Sequence, residues 1–271
     1  MFQTLQLEYV NPHIAHIKLN RPNKRNAMNL KMIEEIPQII QELNNNSNLR
    51  CIIITGNGKH FSSGIDLKDS VFQKEIEGLD NARKGIKLYN IIKELQESMT
   101  SLEKINIPIL MGVHNACLGL ACELILAADY RICTKNSFFE FKEVDLGIAA
   151  DMGLIQRLQI NCGNQSLVRE LIFSGNRFDS QTAIQLGLVS QVYENEEIMV
   201  QTLVQKAILI SEKSPVAIWT IKNMLNKQKH DIILNNLDYL ARINVSSIQT
   251  TDIQEALNAI LLNKQPQYPK L

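Results

Sequence analysis

Residues 13–19 alternate apolar and polar side chains as a half-buried strand does, and residues 29–43 place Met32, Ile36, Ile39, Ile40 and Leu43 on one helical face. The pattern predicts a strand followed by a helix. Residues 51–55 (CIIIT) form a β-branched run closed by Gly56 and Gly58, which predicts a buried strand entering the loop FSSGID. The polar tract 44–48 (NNNSN) reads as the turn between them. A long amphipathic helix is expected over 81–102 and a strand over 109–113, entered after Pro108. A short buried helix over 121–128 and strands over 130–133 and 138–141 continue the alternation. Strands alternating with helices predict an α/β core with crossover connections. From Asn195 onward only the helical period remains, over 196–211, 215–227, 231–246 and 251–262, the second opening on the cap and first-turn pair Ser214-Pro215. The expected organisation is a core over 1–194 and a helical region over 195–271.

The 271 residues are 45% hydrophobic and 21% charged, with 28 basic and 28 acidic side chains, so the formal net charge is zero. A nucleic-acid binder carries a basic excess; the densest basic stretch here, 222–229, reads as a solvated helix face. Cys51, Cys117, Cys122, Cys133 and Cys162 form no C-x-x-C pair and no cluster with metal-ligand spacing. They predict reduced thiols and no metal site. The opening MFQTLQLEYV lacks the features of a signal peptide, and the longest apolar runs fall short of the roughly 20 residues that span a bilayer. No membrane association is expected, and the cytoplasm is the expected compartment. The ending QPQYPKL places Pro269 where a peroxisomal tripeptide has a small residue, so that address is not expected.

Glu123 lies in the middle of the apolar run ACLGLACELILAA (116–128), and Glu143 and Asp151 follow in FFEFKEVDLGIAADMG. An unpaired carboxylate in an apolar element is costly, and three of them point to proton transfer. Each has a structural reading too: Glu123 could pair with Arg131 or Arg157, and Asp151 could cap a helix beginning near Met152. Asp145 reads as structural and His114 as a packed strand-end residue. FSSGID and HNACLGLACE each put backbone N–H groups at a strand end, and the second opens a helix, an arrangement suited to an oxygen that becomes negative during reaction. Phosphate-binding, dinucleotide and nucleophile-elbow motifs are missing from the sequence, so phosphoryl, hydride and covalent hydrolytic chemistry lose support.

Taken in order, LNRPNKRNAM, FSSGIDL, HNACLGLACEL and FKEVDLGIAADMGLIQRL resemble the crotonase, or enoyl-CoA hydratase/isomerase, superfamily almost end to end. KEVDLGIAADMG, SLVRELIFSG, SPVAIWTIKNML and DYLARINVSSIQTTDI resemble its Δ3,5-Δ2,4-dienoyl-CoA isomerases most. The resemblance implies a crotonase-like spiral of ββα units with a C-terminal helical trimerisation region, a homotrimer or hexamer, and an acyl-CoA substrate in fatty-acid β-oxidation. It implies no cofactor, since coenzyme A is part of the substrate. The oxyanion-hole N–H groups fall on Ser63 and Leu120, with Gly119-Leu120-Ala121 standing where the family generally has three glycines. Coenzyme A is expected along Lys24, Arg25, Ala27, Ser63, Gly64, Ile65, Asp66 and Gly119. Asp151 is expected to take the C2 proton, Glu143 to deliver one at C6, and Glu123 to act as an auxiliary acid. Glu123 with Glu143 is also the pair with which family hydratases activate water, so a 2-enoyl-CoA hydratase remains an alternative. A thioesterase, a dehalogenase, and a non-catalytic RNA-binding or assembly protein of the same fold are the others.

Overall fold

The computed structural model describes residues 2–67 and 76–270. Its main sheet runs β1 (Leu5–Asn11), β2 (Ile14–Leu19), β3 (Cys51–Gly56), β4 (Ile109–Val113), β6 (Tyr130–Thr134), β9 (Val192–Tyr193). The first pair is antiparallel and every later pair parallel. A second sheet pairs β7 (Phe138–Glu140) with β5 (Ala116–Leu118) in parallel and with β8 (Phe178–Asp179) antiparallel.

The β-branched runs are buried on both faces, as parallel strands covered by helices must be. Ile52 and Ile54 of β3 join a core with Met32, Ile36 and Ile39 of α1 (Leu30–Asn44) and Leu95, Met99 and Leu102 of α2 (Asn81–Lys104). Asn29 caps α1 by accepting from the Met32 N–H, and Asp80 caps α2 by accepting from Arg83. Cys51 and Ile53, one residue out of phase, face the other way, where Met199, Leu203 and Ala207 of the seventh helix (Glu196–Ser211) cover them. Gly112 makes that approach possible: a Cβ there would stand 2.7 Å from Leu203 Cδ1. The helix expected to begin a separate region is thus the back layer of the sheet.

Among the described residues the chain continues with helices α3 (Leu120–Leu126), α4 (Leu154–Asn161), α5 (Gln165–Ser174), α6 (Ser180–Leu186), α7 as just described, α8 (Pro215–Ser247) and α9 (Asp252–Leu261). The two helices expected over 215–227 and 231–246 are one. The polar stretch between them contains no Gly or Pro, and a single buried stripe runs through Lys222, Asn226, Ile233, Leu237, Ala241 and Asn244. Its polar members hide the period from a hydrophobicity reading. Lys222 is accordingly not on a solvated face: it is 5% exposed and reaches Asp129 and the Ile107 carbonyl, both at 2.7 Å.

All five cysteines are buried and unpaired by disulfides. No helix among the described residues is long and apolar enough to cross a membrane, and no group of three or more potential ligands that could hold a metal occurs among them. The tripeptide weighed as an address ends on Leu271, and the signal-peptide reading begins on Met1; both lie outside the described residues.

Candidate active site

The two loops meet through backbone pairing. Met28 N–H donates to Gly64 O at 2.7 Å and Asp66 N–H to Met28 O at 2.9 Å, which zips the 24–28 turn to FSSGID. The Ser62 hydroxyl donates to Asn26 O, also at 2.7 Å, and Leu118 N–H to Ser62 O at 3.2 Å, so the loop also lies on β5. Gly64 is needed at this crossing: its φ is +82°, and a Cβ would stand 2.4 Å from Leu118 O and 3.5 Å from Leu120 N.

This contact decides which N–H groups are free. Ser63 N–H, expected as one oxyanion donor, already donates to Arg25 O at 3.0 Å. Ile65 N–H has no partner among the described residues, and Leu120 N–H, at the first position of α3, has none either. The N–H groups without a partner are therefore those of Ile65 and Leu120, and that of Ser63 is already committed. The alternation of a bridged strand explains the unpaired Ile65 group, because pairing with Met28 uses the N–H of Asp66 and leaves that of Ile65 pointing away.

A cavity of about 740 Å³ opens beside these groups, lined by Ser63, Gly64, Ile65, Gly119 and Leu120 and by Glu123, Glu143 and Asp151. Ala256, Ala259 and Ile260 of α9 line it too, with Lys264 and Tyr268. Lys24 and Arg25 are exposed in the 24–28 turn and Ala27 is buried there, none of the three among the cavity's walls. Asp66 is held by Arg21 at 2.9 Å, which makes its carboxylate a brace for the loop.

The three acids arrive from different elements: Glu123 from α3, Glu143 from the turn after β7, and Asp151 from the turn before α4. Glu123 is 2% exposed, and its Oε2 accepts from Leu154 N–H at 3.0 Å. Burial, then the charges of Glu143 and Asp151, raise its pKa well above the usual carboxylate range. Burial pushes Glu143 up to about 7, with Asp151 adding to the rise; its Oε2 is enclosed without a partner among the described residues, and its Oε1 stands 3.1 Å from where a Cβ of Gly119 would be. Asp151 is raised to about 6 by burial, against a hydrogen bond from Asn244 that favours its charged form.

The structural readings fall on other partners. Arg131 donates to the carbonyls of Leu188 and Ala128, and Arg157 pairs with Glu103 at 2.7 Å. Asp151 caps no helix, since α4 begins after Gly153 without a side-chain cap. Asp145 pairs with Lys142 at 2.6 Å, and His114 bonds the Gly58 carbonyl at 2.9 Å. Sequence reasoning passed over Asn244 and Gln96, which hold Asp151; the available signal for Asn244 was a polar residue at helical spacing from Ile233, Leu237 and Ala241.

With this geometry in view, the comparisons with known proteins are concordant. The mitochondrial Δ(3,5)-Δ(2,4)-dienoyl-CoA isomerase of Mus musculus is 38% identical over 262 residues, 96% of this chain and 80% of the mouse protein. The peroxisomal Δ(3,5)-Δ(2,4)-dienoyl-CoA isomerase of Arabidopsis thaliana is 34% identical over 100% of this chain and 98% of its own. The crystal structure of an enoyl-CoA hydratase/isomerase from Pseudoalteromonas atlantica superposes with a TM-score of 0.85 at 18% identity, covering 98% of this chain and 100% of that one, which shows the crotonase fold. These relatives overturn the cytoplasmic expectation: they are mitochondrial and peroxisomal proteins, and composition does not report compartment. The enoyl-CoA hydratase/isomerase family model matches residues 10–270, and the chain is an enzyme belonging to that family.

Proposed function

We propose that the protein isomerises 3,5-dienoyl-CoA to 2,4-dienoyl-CoA, the reaction named for the mouse and Arabidopsis relatives. The observation that carries the reading is the placement of two carboxyl groups, Glu143 and Asp151, on separate turns of one cavity that Ile65 and Leu120, whose N–H groups have no partner among the described residues, also line. Asp151 removes a C2 proton, and the resulting charge spreads over the thioester oxygen and along the conjugated chain to C6. Glu143 protonates C6, leaving double bonds at C2 and C4. The two carbons are four bonds apart, so two fixed groups do what one would have to travel to do. The Ile65 and Leu120 N–H groups take the developing negative oxygen, an interaction whose loss typically costs about 3 to 4 kcal/mol in the barrier. Coenzyme A enters with the substrate, braced against the turn of Lys24, Arg25 and Ala27 and the FSSGID loop, and the step needs no further cofactor. Fatty-acid β-oxidation is the setting in which such dienes arise. Assembly as a trimer or a dimer of trimers would cover Val216, Trp219, Ile221, Met224, Leu225 and Ile232, which α8 exposes.

One observation favours a second reading. Glu123 lines the same cavity as Glu143, and two glutamates can hold and activate water for 2-enoyl-CoA hydration. An ultraviolet assay on a 3,5-dienoyl-CoA and, in parallel, a 2-enoyl-CoA separates the two. Appearance of the 2,4-diene, lost in Asp151→Asn, is the expected outcome; hydration that survives Asp151→Asn would replace isomerisation with the hydratase reading.

A further inference from the structure

Asp151 is held by two helices that contribute none of the three acids. Asn244, near the end of α8, donates from Nδ2 to Asp151 Oδ2 at 2.6 Å. Gln96, in α2, donates from Nε2 to the Asp151 backbone carbonyl at 2.8 Å and to the Leu237 carbonyl of α8 at 3.0 Å. Side chain and main chain of one residue are thus fixed from elements far away in sequence. Asn244 is 1% exposed, and its Oδ1 is enclosed with no partner among the described residues. A buried amide serving packing alone normally satisfies both ends. Here one end is committed to the carboxylate and the other is left bare.

We infer that Asn244 is a positioning residue of the proton-transfer site, whose amide anchors Asp151 Oδ2 so that Oδ1 is the oxygen offered to the substrate. The inference rests on the reading of Asp151 as the base. Charged groups surrounding Asp151 make the neutral partner informative. The charge of Asp151 raises the hold of Glu123 from α3 and of Glu143 from the turn after β7 on their protons. Arg157 of α4 directs its guanidinium to Met152 O, Thr100 Oγ1 and Glu103 Oε2. No cation among the described residues bonds Asp151, and its side-chain donor is an amide. An amide favours the carboxylate without pinning it there as a guanidinium would, which suits a group that takes up and releases a proton in every turnover.

Asn244→Leu keeps the bulk and removes the donor, and Asn244→Gln keeps an amide. For the leucine variant, kcat on 3,5-dienoyl-CoA is expected to fall roughly 10- to 100-fold with KM within about twofold. The acid limb of its pH profile is expected to move upward by about one unit, because loss of the donor disfavours ionised Asp151. The glutamine variant should recover part of both. A carbon-13 carboxyl titration of Asp151 in the substrate-free protein should shift in the same direction. A folded Asn244→Leu protein with unmoved titration and unmoved pH profile would overturn the inference and make Asn244 a packing residue. Should Asn244→Leu not fold, Asn244→Ala carries the same readouts. A moved titration in a protein that does not isomerise dienes would retain the positioning role and remove the reaction assigned to it; diene isomerisation that needs Asp151 but ignores Asn244 would do the reverse.

Discussion

Buried acids meet α4 in two settings, Glu103 at Arg157 and Glu123 at Leu154, and the chain treats the two settings in opposite ways. On one side Glu103 meets Arg157 at 2.7 Å, with side-chain exposures of 1% and 0%, and the same guanidinium bonds the Thr100 hydroxyl. On the other side Glu123, Glu143 and Asp151 share a cavity, and the donors to Glu123 and Asp151 are a backbone N–H and an amide. The first group is a charge balanced by a charge, which holds the chain together. The second has burial without balance, and its acids bind protons more tightly than free carboxyls do. Gly153 joins the two: at φ +123° it brings the turn that carries Asp151 so close to Arg157 that a Cβ would stand 1.6 Å from Nη1. Compensation is spent on the scaffold and withheld from the cavity, and that contrast locates the chemistry more firmly than any single acid does.

The largest effect should come from the uncompensated side. Asp151→Asn keeps the shape and the contact with Asn244 but removes the base, and kcat is expected to fall roughly 10² to 10⁴-fold, the usual worth of a positioned general base, in the ultraviolet assay. Full activity in that variant would break the contrast, since Asp151 would then be a passive acid. On the compensated side, Arg157→Met leaves Glu103 buried without its cation, and a loss of about 3 to 5 kcal/mol in urea unfolding is expected. A loss below about 1 kcal/mol would mean that water, not Arg157, balances Glu103.

The frame of this contrast was legible in the sequence and its fine structure was not. The β-branched run at β3, the strand β4 after Pro108 and the cap Ser214 read directly as elements, because short-range pattern and local chemistry decide them. The strand β1 escaped: it is a sheet edge whose middle residues are exposed, so no clean alternation marks it. The helices α5 and α6 also escaped, being short. The three acids stood out because each interrupts an apolar segment. Their environment did not stand out, because it is made by partners distant along the chain: Asn244 is 93 residues from Asp151 and Leu154 is 31 from Glu123. The commitment of the Ser63 N–H and the freedom of the Ile65 N–H have the same origin, since only the contacts with Arg25 and Met28 reveal which group remains unpaired.

A smaller effect follows from proton binding. Glu143 is raised from 4.5 to about 7, so the folded chain holds a proton there that the unfolded chain has lost. Stability should therefore decline as pH rises from about 4.5 to 7, by on the order of 3 kcal/mol from this group. Glu143→Gln removes the decline: the variant should match the parent below pH 4.5 and exceed it above pH 7 in denaturant midpoints taken across that range. Parallel curves for the two proteins would show that Glu143 is solvated and not part of the uncompensated group.

The smallest change on the isomerase reading is also the most discriminating. Glu123→Gln retains an oxygen for the Leu154 N–H and removes a carboxyl whose hold on its proton is strengthened by burial and by the charges of Glu143 and Asp151. Asp151 and Glu143 are raised by burial, and Glu143 also by Asp151, with no contribution from Glu123, so the bell expected between a base near 6 and an acid near 7 should hold its position, its limbs belonging to the pair and not to either residue alone. Diene isomerisation should stay within about threefold of the parent, because Glu123 transfers no proton, whereas general acid–base catalysis by Glu123 would make the loss about 100-fold or more. A collapse of 2-enoyl-CoA hydration in this variant, with diene isomerisation intact, would show that the same uncompensated acids run two reactions, Glu123 serving water and Asp151 serving carbon.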